Sequence, residues 1–119
     1  MASVLVSVPA QAIALGPGSI GPFPAPADSA GLVMAMSRAG MPAMPKVLSV
    51  TCLVSHDNGK TFNPLVGVEI PGGDILQKGG KGILAETDVT VYWHRVPTHV
   101  RLDLISYAAF TASFRVTSL

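Results

Sequence analysis

The sequence predicts an all-β protein, an antiparallel β-sandwich of immunoglobulin-like or jelly-roll type with an extended Pro/Gly-rich N-terminal arm. Three observations lead there. From Lys46 onward apolar and polar residues alternate with period two, the repeat of a strand with one face buried. Turn signals built from Gly, Pro and Asn-Gly interrupt that alternation at short intervals. No segment carries the apolar repeat of a helix of about ten residues or more. At 119 residues the chain is one domain, long enough to bury about 65% of the surface its unfolded form exposes without metal or disulfide staples.

The elements follow in order. "VLVSV" is the first strand candidate. Pro9, Pro17, Pro22, Pro24, Pro26, Pro42 and Pro45, seven of the ten prolines, lie in residues 1–45, which hold only two charges, Asp28 and Arg38. "GPGSIGPFPAPADSAG" at their centre cannot be helical and reads as extended or polyproline backbone. Residues 1–45 are therefore expected as an arm with one or two strands joining the sandwich, and residues 46–119 as the sandwich core. Ile20 and Phe23 are its apolar anchors, on its own sandwich or on a neighbouring subunit. "GLVMAMSR" is a strand with Leu32, Met34 and Met36 on one face. "VLSVTCLVS" places Leu48, Val50, Cys52 and Val54 together, and "LVGVEI" and "KGILAE" are short edge candidates. "DVTVYWHR" aligns Val89, Val91 and Trp93, and "HVRLDLISY" aligns Val100, Leu102 and Leu104. The last strand sets Phe110, Ala112, Phe114 and Val116 against Thr111, Ser113, Arg115 and Thr117.

Between "VLSVTCLVS" and "LVGVEI" lies "SHDNGKTF". Asn58-Gly59 is a hairpin signal, because a type I′ turn needs positive φ at both central residues and these two tolerate it. Ser55-x-Asp57-x-Gly59-x-Thr61-Phe62 resembles the Asp box, the Ser-x-Asp-x-Gly-x-Thr-Trp hairpin motif of sialidases and related β-propellers, with Phe62 at the usual Trp position. The resemblance implies that the Asp57 carboxylate accepts hydrogen bonds from turn amides, that Ser55 and Thr61 close the turn, and that Phe62 packs beneath it. The motif occurs once, and a propeller of at least four blades of about 40 residues exceeds this chain. The box is therefore expected to be the tip of a hairpin.

Composition bounds the partners. Hydrophobic residues make up 49% of the chain and charged residues 13%, about half the usual share. A chain so poor in charge is expected to keep much of its surface against other chains. The net charge is +1 and the eight basic residues are scattered, so nucleic acid is not an expected partner, since phosphate binding needs a basic patch. The N-terminus lacks the basic region of a secretory signal, and its prolines and glycines break any apolar membrane span; neither export nor a membrane is expected.

Chemistry finds little support. Cys52, the single cysteine, lies in an apolar run and reads as a small core residue. His94 and His99 flank a turn at Pro97 without companion ligands at a metal-binding spacing. "GGDILQKGGKG" lacks the residues of a phosphate loop and reads as a contact loop. Asp88 and Asp103 are expected on strand exteriors, with Arg101, Asp103 and Arg115 sharing a face if the two C-terminal strands pair. No catalytic residue, metal ligand or cofactor is expected, and an enzyme is not.

The whole chain is similar in architecture to small all-β phage virion proteins of the capsid decoration or cement type: short, cysteine-poor, low in charge, with an apolar arm before the sandwich. That resemblance implies a non-enzymatic particle-assembly subunit, found in the virion after assembly in the host cytoplasm. Its partners would be copies of itself, a homotrimer by analogy, or a major capsid or other virion protein. Ile20, Phe23, Met41, Met44, Ile75 and Leu76 are the expected assembly contacts. The alternative is a carbohydrate-binding or adhesin-like sandwich, which needs a platform of exposed aromatics from among Tyr92, Trp93 and Tyr107.

Overall fold

The computed structural model describes residues 3–39, 46–70 and 86–119. Among them every regular element is a strand: β1 (Val4–Ile13), β2 (Gly16–Pro24), β3 (Gly31–Ala39), β4 (Leu48–Ser55), β5 (Asn63–Ile70), β6 (Glu86–Tyr92), β7 (His99–Ser106) and β8 (Phe110–Ser118). They form two antiparallel sheets, ordered β1-β8-β3-β6 and β2-β7-β4-β5, packed face to face as a β-sandwich. The pairings are nested: β1 with β8, β2 with β7, β3 with β6 and β4 with β5. This is a long antiparallel hairpin rolled up on itself, the strand order of a jelly roll, and it decides between the two topologies that alternation leaves open.

The alternating residues supply the core. Leu32, Met34 and Met36 of β3, Leu48, Val50, Cys52 and Val54 of β4, Val100, Leu102 and Leu104 of β7, and Phe110, Ala112, Phe114 and Val116 of β8 are all buried between the sheets. Burying one such side chain is worth about 1.5–3 kcal/mol, so these four strands carry most of the driving force. Trp93, just past β6, also faces inward, and its indole Nε1–H donates to the Ser29 carbonyl at 3.1 Å. That bond satisfies the one polar atom its burial would otherwise strand.

The segment expected as an arm differs from its prediction. It provides three of the eight strands, one more than the most expected of it, and the Pro/Gly stretch is β2, paired with β7 from Gly16↔Ser106 to Pro24↔His99. The prolines are tolerated because β2 is the edge of its sheet, where a missing N–H costs no ladder bond, and the register shifts between Ile20 and Phe23 to absorb Gly21 and Pro22. Ile20 and Phe23 are 6% and 5% exposed and belong to the core. They anchor the segment on its own sandwich and are not surface contacts. Met41, Met44, Ile75 and Leu76 lie outside the described residues, as does most of "KGILAE". A second correction concerns the C-terminal strands: β7 and β8 belong to different sheets, so Arg101 and Asp103 do not share a face with Arg115.

Among the described glycines, Gly31 has the least room for a side chain. A Cβ on Gly31, at the start of β3, would lie 2.0 Å from the Val91 carbonyl oxygen of β6, so the closest approach of these two backbones depends on the missing side chain.

Candidate functional site

The β4–β5 connection is the most heavily bonded turn among the described residues. Asn58 and Gly59 sit at φ 62° and 85°, the positive pair their sequence predicts. The Ser55 hydroxyl, fully buried, donates to Asp57 Oδ1 at 2.7 Å and accepts from the amides of Gly59 at 2.9 Å and Asp57 at 3.3 Å. The Thr61 amide donates to Asp57 Oδ1 at 2.9 Å and its hydroxyl to Oδ2 at 2.6 Å. The Thr61 hydroxyl first, then the Ser55 hydroxyl and the Thr61 amide, hold the Asp57 carboxyl well below the usual carboxylate range. A carboxylate engaged this way is a fastener, with three of its roughly four acceptor sites occupied and too little proton affinity for a general base.

Two residues that the motif does not predict complete the turn. Thr98, from the β6–β7 connection, accepts from the Asn58 amide at 3.0 Å, while its own amide and hydroxyl donate to the Ser55 carbonyl at 2.8 and 3.1 Å. The His99 ring lies under Gly59, with its Nδ1 buried and without a hydrogen-bond partner. Both come from about forty residues away in sequence, so no local signal could find them.

Other candidate chemistry is dispersed. Cys52 is buried, and burial pushes its thiol up to about 11, leaving it protonated and unreactive. Among the described residues no three His, Cys, Asp or Glu side chains gather as metal ligands, and His94 points to solvent. A hollow of about 380 Å³ opens where β1 and β2 diverge, over Val8, Ile13, Ile20, Leu104 and Phe114, with Gln11 and Ser106 at its wall. No ionisable side chain lines it, so it offers shape without acid–base chemistry.

The outer faces of the two sheets are built differently. On the β2-β7-β4-β5 sheet, Arg101 donates to both oxygens of Asp103, at 2.8 and 3.1 Å, and its guanidinium lies 4.8 Å from the centroid of the Phe62 ring. Lys46 binds Glu69 at 2.9 Å and lies 4.8 Å from the Tyr107 ring centroid. On the β1-β8-β3-β6 sheet most outward residues are short, Ser7, Thr117, Ser113, Thr111, Val33, Ala35, Ser37 and Thr90, with the exposed Val4 and Tyr92 toward one end. Arg115 and Asp88 stand among them, and neither has an ion-pair partner among the described residues. A second hollow, of about 360 Å³, lies over Ala35 between these two charges.

No family model matches the chain, and no curated protein matches it.

Proposed function

We propose that the chain is a non-enzymatic structural protein of a virus particle, a phage capsid decoration or cement protein or another particle-assembly subunit. The observation that carries this reading is the surface. With 13% of its residues charged, the protein exposes Leu15, Val4, Ile105 and Tyr92. Exposed apolar side chains on so little charge favour a molecule that is covered by copies of itself or by a larger capsid protein. The jelly-roll strand order agrees with the reading by analogy only, since the same order serves viral capsid domains, lectins and cupins. The mechanism is passive: neutral contacts exclude water over a broad area, and the virion is where the protein works.

The test is the mass of the purified protein by light scattering, beginning near micromolar concentration and diluting. A defined oligomer or a larger particle supports the proposal. A monomer throughout overturns self-assembly and moves the carbohydrate-binding reading forward. One observation favours that second reading: Tyr92 is 70% exposed, an aromatic face open to a sugar ring. It stands alone, because Trp93 is buried and Tyr107 is half-buried beside Lys46. Screening a panel of glycans against the protein and a Tyr92→Ala variant decides it.

A further inference from the structure

We propose that the outer face of the β1-β8-β3-β6 sheet binds a second copy of the chain, face to face across a two-fold axis along β3, with Arg115 of each copy meeting Asp88 of the other. The inference rests on the assembly reading above and names its contact.

Strand register fixes the geometry. Arg115 on β8 and Asp88 on β6 are both register partners of Ala35 on β3, so the three form one row across the sheet. Neighbouring strands lie about 4.8 Å apart, which puts the two charged positions about 9.6 Å from each other with a methyl group between them. Rotation by 180° about a line above Ala35 and parallel to β3 exchanges the columns of β8 and β6. Each arginine then stands over the other copy's aspartate. A two-fold axis running across the strands would instead set Arg115 on Arg115, so the charges select one orientation and oppose the other.

Shape agrees. The side chains beside this row, Ser7, Val33, Ser37 and Ser113, are short, and the larger Tyr92 stands two rows away along β6, so two such faces approach closely at the row itself. The hollow between Arg115 and Asp88, walled by Ser7, Ser37 and Ser113, gives the incoming arginine room and hydroxyl partners. Sheets stack about 10 Å apart, within reach of an arginine and an aspartate extended toward each other. Three strands shared over their length make a footprint of about 400 Å² per copy, about half that of a standard interface. The contact is accordingly weak alone and effective when many copies are held together.

Sedimentation velocity over a rising concentration series tests it, on the wild type, Arg115→Asp, Asp88→Arg and the double variant. Both positions are exposed, and thermal melts confirm that each variant folds. Either single reversal is expected to weaken self-association by at least about ten-fold, and the double variant to recover to within about three-fold of wild type. Mixing the two single variants is the most discriminating arm. Each repels itself, while one of each forms two complementary pairs, so the mixture associates where neither component does. An intramolecular role for these charges would give no rescue by mixing. A folded wild type that associates, with variants that associate equally well, overturns the contact and leaves the assembly reading in place. A wild type that remains monomeric at every concentration overturns both.

Discussion

The two outer faces contain similar charges and treat them differently. Arg101 and Asp103 are two residues apart on β7, hence on one face and about 6.8 Å apart along the strand, where an arginine fork closes on a carboxylate. Arg115 and Asp88 are separated by a whole strand whose intervening residue is Ala35. Placement along a strand satisfies a charge within the chain, and placement across a strand leaves it for something else. On the first face the charges are paired by its own residues, with Phe62 beneath Arg101 and Glu69 holding Lys46; on the second, Arg115 and Asp88 flank a hollow walled by Ser7, Ser37 and Ser113 and have no ion-pair partner among the described residues.

The sharpest way to break this contrast is to remove the sheet that carries the second face. Gly31→Ala puts a methyl carbon 2.0 Å from the Val91 carbonyl oxygen, and forcing β3 from β6 is expected to cost about 3 kcal/mol or more. Denaturant unfolding should show a large loss of stability, and a variant as stable as wild type would show that the two backbones separate freely. Next is Ser55→Ala, at the end of β4. It removes one donor and the acceptor of two amides in a fully buried position, and is expected to cost about 1–3 kcal/mol, read as a lower denaturant midpoint with an unchanged slope.

Asp57 supplies a pH test of the same turn. Its folded carboxyl is more acidic than its unfolded one, so the unfolded chain takes up the proton first. The stability it contributes is therefore fully present above the ordinary carboxylate value of about 4, and is lost as pH falls below that toward the folded value. Thermal melts between about pH 7 and about pH 2 should show a steeper acid decline for the wild type than for Asp57→Asn. Equal slopes would mean that the turn bonds do not hold the charge. The smallest expected effect is Arg101→Ala, about 1 kcal/mol, because a partly exposed ion pair and an exposed cation–π contact are each worth little. A larger loss would mark the Arg101–Phe62–Leu53 corner as a second small core, since Leu53 is itself buried there opposite Arg101.

How much of this was legible in the sequence follows from the range of each interaction. Alternation identified the buried residues of β3, β4, β7 and β8, because the period of a strand is local. The Asn58-Gly59 turn was legible for the same reason: Ser55, Asp57 and Thr61 bond one another within seven residues. Alternation missed Leu53, buried on the face opposite to Cys52, because its cover comes from other strands. It also misjudged β2, where prolines imply an arm until an edge position is known to accept them. Strand order, the meeting of Thr98 with Ser55 and the row Arg115–Ala35–Asp88 are all contacts between distant parts of the chain, and no local pattern encodes them.

The nested pairing also sets a schedule. In its sheet β1 has one neighbour, β8, and β3 lies between β8 and β6. Until Phe110–Ser118 arrives, Val6 and Val8 have no strand to pair beside and Met34 and Met36 lack half of theirs. The last strand is a keystone, and the first contacts in sequence are among the last to close. A topology so dominated by distant pairing folds in milliseconds to seconds, not microseconds. During that interval the apolar strands of an unfinished sheet are open to one another in neighbouring chains, so the yield of soluble protein will depend on how fast β8 is delivered as well as on how stable the finished sandwich is.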